Sequence, residues 1–506
     1  MREDALSPAR FGAAFQAFME AALREAAPPT NPIRERIAAH VGGDPARLPV
    51  VAEEFEPFDH PNLQVALDAQ FGAPGRTAEL IGIAVEGKRY RALGFSDLLS
   101  RAGGLGHQAP AEGAVDYVTV RLAGAATLPC VQSGLYFIRD GERRLVAFVG
   151  VGPTPGAPGQ KVRIEVLAAR PEDATDFLAA LRADMARLNV YRGQVIALSA
   201  GPFGPGPQTL LAFQALPDVG RDAVILPAGV LERIERHTLG VAAEAARLVA
   251  AGRSLKRGLL LHGPPGVGKT LTIMYLAGRM PGRTTILATG RALGAVGLLA
   301  QLARHLAPAL IVLEDVDLIA ADRSLPPGQG GGPLLFELLN ELDGLRDDCD
   351  VIFALTTNRP ETLEAALAAR PGRIDLAVEF PLPDAAGRRR LLALYARGLA
   401  LRDVDLDTLA TRLDGASPAY IKELLRKATL LALLDGGDGV VTTARLAEAL
   451  EELAAGGQLA ARLLGLYPPG PTATPRGAAG GAHDGFPPPP LGPSPGGDGG
   501  AVPGVR

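Results

Sequence analysis

Apolar positions change their spacing several times along this chain, and each change predicts a different kind of element. Residues 9–26 place Phe11, Phe15, Phe18 and Leu23 near helical spacing, which predicts a short amphipathic helix with its phenylalanines packed on a core. From about residue 111 the period shortens to that of strands: VDYVTVRL, then SGLYFIRDGERRLVAFVGV, then KVRIEVLAA. Asp140-Gly141, between two apolar runs, is a hairpin signal. Pro171 opens a helix with Phe177, Leu178, Leu181, Met185 and Leu188 on one side, and YRGQVIAL returns as a strand. The expectation is a mainly helical region over residues 1–110 and an α+β module over 111–200. A linker over 201–221 follows, marked by GPFGPG. Further on, GLLLHG and LIVL are short apolar strands, and beyond Pro383 the period is helical again, as in GRRRLLALYARGLA and SPAYIKELLRKATLLALL. Residues 467–506 are more than half proline and glycine, cannot bury a core, and are expected to be disordered.

Composition narrows the class. A chain of 506 residues is expected to divide into roughly three or four folding units. A 47% hydrophobic content with 21% charge fits a soluble globular protein, and a net charge of −4 gives no sign of a bulk nucleic-acid or anionic-membrane partner. Cys130 and Cys349 lie in unrelated segments without metal spacing, so two buried thiols in a reducing cytoplasm are expected. The first residues carry acids and an amphipathic pattern instead of a signal peptide's apolar block. No segment offers about 18 uninterrupted apolar residues, so no membrane span is expected.

The chemistry starts at GLLLHGPPGVGKT. Gly263, Gly268, Lys269 and Thr270 stand in the spacing G-x-x-x-x-G-K-[ST], after an apolar strand and before the helix-like LTIMYLAGRM. In that arrangement the backbone N–H groups of Gly263, Pro264, Pro265, Gly266, Val267, Gly268 and Leu271 and their neighbours, proline excepted, surround phosphates. The following helix turns its positive end to the same anion. Lys269 would reach the β- and γ-phosphates, and the Thr270 hydroxyl would hold Mg²⁺. The stretch ALIVLEDVDLIA then runs a buried strand into Glu314 and Asp315. A nucleoside triphosphatase needs one carboxylate near Mg²⁺ and another to orient water, both at the end of a neighbouring strand. A solvated acidic turn is the alternative.

With both motifs in place, the chain from about residue 222 to 465 resembles the AAA family of ATPases. GPPGVGKT is similar to the family's phosphate loop, and VIFALTTNRPETLEAALAARPGRIDLAVEFPLPD to its second region of homology. The resemblance implies an α/β P-loop NTPase core over 222–384, a parallel sheet with helices on both faces, followed by a small helical lid over 385–466. It implies that Asn358 senses the γ-phosphate and attacking water, and that Arg370 and Arg373 reach a neighbouring subunit's nucleotide. A guanidinium neutralises charge developing on the transferred phosphoryl group. The alternative for both arginines is pairing with surface acids. ATP and Mg²⁺, a hexameric homo-oligomeric ring and a protein client are implied with these residues.

Three departures from the family pattern stand out. The family's usual Asp-Glu order is reversed, and the same Leu-Glu-Asp-x-Asp order is known in Bcs-type AAA translocases. Ungapped alignment makes Glu314 the Mg²⁺ partner and Asp315 the base, acting through a water, with Asp317 a third contributor. Ala295, Val296 and Gly297 occupy the place of the pore-facing aromatic triplet, so chain threading is not expected. GASPAYIKEL resembles the segment that sets Gly415 and Ala416 against adenine and ribose, with Pro418 and Tyr420 substituted and no arginine at the second sensor place. Lys422, Arg426 and Lys427 follow as a solvated helical face. Upstream, Leu239 and Gly240 occupy the place of the backbone contact to adenine. The expected function is Mg-ATP hydrolysis that remodels a protein client. The alternatives are a nucleotide switch with weak turnover and a nucleic-acid motor, for which neither a basic stripe nor interleaved aromatics are present.

Overall fold

Alternation of apolar side chains in three long central strands builds the N-terminal half of the computed structural model of the chain. The structure describes residues 8–25, 31–84, 93–100, 109–153, 160–199, 210–289, 296–317, 349–361, 374–434, 439–455 and 462–467. The first sheet comprises β1 (Val50–Phe55), β2 (Arg76–Ala84), β3 (Ala111–Gly113), β4 (Asp116–Arg121), β5 (Thr127–Asp140), β6 (Arg143–Pro153) and β7 (Gln160–Ala168). Its order is β1-β7-β6-β5-β2-β3, all antiparallel, with β4 paired to the first half of β5. The Asp140-Gly141 signal is the β5–β6 hairpin, closed by the pair Asp140 and Arg143.

Period-2 alternation feeds two cores from one sheet. Tyr136, Ile138, Leu145 and Ala147 pack under the helices His60–Phe71 and Pro171–Arg187. On the other face Leu135, Phe137, Val146 and Phe148 meet the helix Pro32–Val41. That helix has local start and stop signals: Asn31 accepts from the Arg34 N–H, Pro32 opens the first turn, and Gly42 closes it in the left-handed region at φ 78°.

The second sheet comprises β8 (Val195–Ser199), β9 (Leu210–Phe213), β10 (Arg257–His262), β11 (Thr284–Ala288), β12 (Ala309–Leu313), β13 (Val351–Thr357) and β14 (Leu376–Glu379). Its order is β14-β10-β13-β12-β11-β8-β9, parallel throughout except for β9 against β8. Every residue of β12 and β13 is buried, as expected of parallel strands covered on both faces. Leu299, Leu302 and Ala303 of the helix Val296–His305 cover one face over Ile311, Leu313 and Phe353. Ile273 and Leu276 of the helix Lys269–Gly278 cover the other over Leu259, Leu310 and Val312. The lid is a separate core of helices Ala385–Tyr395, Leu406–Arg412, Pro418–Leu434 and Thr443–Ala454, with β15 (Leu401–Arg402) paired to β16 (Val441–Thr442).

Four expectations are corrected. The region before residue 110 carries more helix than strand, as expected, but it does not stand apart from the 111–200 module: β1 and β2 lie in it and join the first sheet. Their VVAEEF and RTAELIGIA mix carboxylates and arginine into the strand, which hides the apolar period. YRGQVIAL does not close that module; its strand β8 lies beside β11 in the second sheet. The expected linker holds β9, a four-residue edge strand too short to show periodicity. The helix Pro8–Glu25 forms, but Phe11, Phe15 and Phe18 are 59%, 52% and 66% exposed and pack on no core, although Phe11 stacks on Phe15. Apart from Tyr467, the expected tail lies outside the described residues.

Candidate functional site

The turn between β10 and the helix Lys269–Gly278 needs glycine for steric reasons. A Cβ on Gly263, at φ 143°, would stand 2.3 Å from the Phe380 carbonyl oxygen, and one on Gly266, at φ 79°, 2.8 Å from Ala419 Cβ. So the loop lies directly against β14's end on one side and the lid on the other. Lys269 is buried, and its Nζ donates to Gly263 O at 2.7 Å, Pro264 O at 2.9 Å and Asn358 Oδ1 at 2.8 Å. Burial pushes its amine down to about 8, against the opposing pull of the Asp315 and Asp317 carboxylates.

The strand ends opposite the loop hold the acids in fixed places. Asn358, just past β13, donates from Nδ2 to Asp315 Oδ1 at 2.9 Å, so one amide links Lys269 to Asp315 with each of its atoms on a partner of the right polarity. Asp315 stands at φ 51°, its N–H donating to Thr356 Oγ1 at 3.0 Å, and the Val316 N–H donates to Thr356 O at 3.0 Å. Among non-glycine residues, aspartate and asparagine are the ones that accept this left-handed backbone best. The reversed order therefore has a local reason: the shorter acid sits where the backbone turns. Glu314 continues the alternation of Leu310 and Val312, on the face that carries the phosphate-loop helix, and its Oε1 is buried without a hydrogen-bond partner among the described residues. Asp317 accepts from Thr357 Oγ1 at 2.9 Å and the Asn358 N–H at 3.3 Å, and so braces the strand end.

Lys269, Asp315, Thr356 and Asn358 face a cavity of about 410 Å³. Residues 265–272 form its floor, with Asp315, Thr356 and Asn358 at one end and residues 223–226 at the other. Leu391, Tyr395, Pro418, Ala419 and Lys422 close it from the lid. The lid touches the loop through the Ala419 N–H, which donates to Gly266 O at 3.2 Å. Loop amides at a helix N-terminus suit phosphates, and the apolar end suits a base.

Most expected site residues come together here, and some do not. Pro265, Gly266, Val267, Gly268, Lys269, Thr270, Leu271, Asp315 and Asn358 line the cavity, and the carbonyls of Gly263 and Pro264 hold Lys269 from behind. Among the described residues on its wall, Glu314, Gly240, Gly415 and Ala416 do not appear. Gly240 ends a widened helical turn, and its neighbour Leu239 packs into the sheet core. Ala416 is fully buried and bridges Leu466, while Gly415 O accepts from the Tyr467 N–H at 2.8 Å. On the cavity wall the lid instead contributes Pro418 and Ala419, and the core contributes residues 223–226. The run AVIL before Pro227 was the available signal for the latter. Arg370, Arg373 and Ala295 lie outside the described residues; Gly297 is in the first turn of the helix Val296–His305.

A parallel sheet with a glycine-rich phosphate loop, a lysine in its mouth and acids at the adjacent strand end defines a P-loop nucleoside triphosphatase. Residues 259–382 match the family described as "ATPase family associated with various cellular activities (AAA)", so this part of the chain is an AAA ATPase domain. The chain is 35% identical over 236 residues to the ATP-dependent zinc metalloprotease FtsH of Acaryochloris marina, covering 44% of this chain and 36% of the relative. It is 37% identical over 202 residues to FtsH 3 of Synechocystis, covering 37% and 32%. With FTSH 1, chloroplastic, of Oryza sativa it shares 32% over 253 residues, covering 46% and 36%. The chain thus spans about a third of the length of the curated relatives it matches. An AAA ATPase acts on ATP with Mg²⁺, and the residues fit the ion: Glu314 offers a buried carboxylate oxygen unpartnered among the described residues, and Thr270 is exposed on the cavity wall. Among the described residues no helix is long and apolar enough to cross a membrane. None of the seven histidines stands four residues from another, so the His-Glu-x-x-His zinc motif does not occur in these 506 residues.

Proposed function

We propose that the chain couples ATP hydrolysis to the remodelling of a protein client or complex, working as a homo-oligomeric ring, hexameric, in the cytoplasm. The observation that carries this reading is the two-sided cavity: core and lid each supply a wall, so a bound nucleotide holds the angle between them and its hydrolysis releases it. Gly263 to Leu271 cradle the phosphates, and Lys269 leaves its carbonyl partners for them. Asp315, shaped by its left-handed backbone and oriented by Asn358, takes the proton of the attacking water. Mg²⁺, held by Thr270 and Glu314, would neutralise charge on the β- and γ-phosphates. Arg370 and Arg373 complete the neighbouring subunit's site. Peptide hydrolysis, the activity in the relatives' names, is left out of the proposal because the chain lacks the zinc motif that chemistry uses.

The test is Mg-ATP turnover per protomer across a wide range of protein concentration, with Arg373→Ala run in parallel. A rate that climbs with concentration and collapses in the variant supports shared sites in a ring. Tight ATP binding without turnover at any concentration would replace this reading with a nucleotide switch.

A further inference from the structure

Three cations on the helix Pro418–Leu434 look equivalent in sequence and are not equivalent in space. Arg426 makes a two-pronged pair with Glu423, at 2.7 and 2.6 Å, and Lys427 pairs with Glu452 at 2.7 Å. Lys422 has neither an ion pair nor a side-chain hydrogen bond among the described residues, and it lines the nucleotide cavity. It stands three residues after Ala419 and four after Pro418, the spacing that puts all three on one helical face. Ala419 docks that face on the phosphate loop through Gly266, so Lys422 is one helical turn from the loop, on the wall that moves.

Charge on the cavity wall sharpens the point. Among the described residues that line it, Lys269, Asp315 and Lys422 are the charged ones. Lys269 and Asp315 are linked through Asn358 and offset one another, which leaves the lid lysine as the positive charge on the wall without a partner among the described residues. A nucleoside triphosphate is the anion such a wall would receive.

We propose that Lys422 is a phosphate-binding residue contributed by the lid, so that the lid's hold on the nucleotide depends on the number of phosphates. This rests on the nucleotide reading above and deepens it. A base is gripped by apolar groups of both domains, whereas the Lys422 charge acts between lid and phosphate alone, and so ties lid closure to the phosphate chain.

The experiment is calorimetric binding of adenosine, AMP, ADP and ATP to the full chain, wild type and three variants: Lys422→Ala, Lys422→Arg and Arg426→Ala. Lys422→Ala is expected to weaken ATP about tenfold, ADP less, and adenosine not at all. Arg is expected to restore most of the loss, and Arg426→Ala, which removes the same charge from the same helix, is expected to match wild type. Equal losses for adenosine and ATP would overturn the phosphate assignment, as would identical binding by Lys422→Ala and wild type. Failure of the wild type to bind any of the four would instead sink the nucleotide reading itself.

Discussion

The N-terminal module and the helical lid are both attached to the ATPase sheet, by joints of opposite kind. The module enters through backbone: β8 extends the sheet beside β11, from Val195 opposite Thr285 to Leu198 opposite Ala288. Tyr191, 3% exposed, sits in the sheet's own core, stacks on Phe213 and donates from Oη to Phe58 O at 2.8 Å. The Gly193 N–H donates to Thr284 Oγ1 and the Val190 N–H to Asn62 Oδ1, so polar groups on both sides are satisfied across the joint. The lid meets the core through the Ala419 to Gly266 contact, the partly buried Ile225 and an exposed Arg397–Asp222 pair, with the cavity between. A sheet ladder and a buried ring resist rotation; a thin contact beside a cavity does not. On the proposed function the module would therefore travel with the core, and nucleotide would act on the lid.

Several substitutions would break or sharpen that contrast. The largest effect is expected at the nucleotide itself: Lys269→Ala should lower ATP turnover by at least ~10²-fold, read in a steady-state assay, because Lys269 is the one charged side chain among floor residues 265–272. Tyr191→Ala should cost roughly 3–5 kcal/mol in denaturant unfolding, as for loss of a buried aromatic ring, and loosen the module's joint. Asp315→Glu, tested with Glu314→Asp to restore the usual order, should lose both activity and about 1 kcal/mol of stability, since glutamate tolerates φ 51° less well. Arg397→Ala, at a pair exposed on both sides, should leave stability unchanged within error.

A pH series addresses the floor of the cavity. The Lys269 amine is pushed down to about 8 by burial, below the ordinary lysine value of 10.5, so between the two the unfolded chain binds more protons than the folded one. Stability of the nucleotide-free protein should then rise with pH across that window, and Lys269→Met should remove the rise. ATP affinity should move the other way, falling as pH climbs through about 8 and the cation is lost.

Much of the site was legible because its parts are local. The phosphate loop is one contiguous run whose glycines answer to nearby backbone, and the acids follow directly on a wholly buried strand. The AAA core was legible for the same reason: β12 and β13 are unbroken apolar runs. What failed depended on distant partners. Residues 415 and 416 resemble a nucleotide-facing loop, but the chain end at 465–467 pairs with them and turns them into lid core. Lys422 looked like one of three solvated cations, and only Glu423 and Glu452 show which two are spoken for. The strands β1, β2 and β9 carried charge or were short, and belong to sheets because β7, β5 and β8 offer a ladder.

The most direct test of this account is a pair of distance measurements by spin labels in the full chain, with Cys349 replaced by serine and Cys130 left buried. One pair joins the exposed lid residue Leu433 to the exposed core residue Arg279, and the other joins Arg279 to Ala186 on the module. Addition of a non-hydrolysable ATP analogue should shorten and narrow the lid–core distribution and leave the module–core distribution as it was. A module–core distance that shifts while the lid–core distance stays fixed would contradict the account.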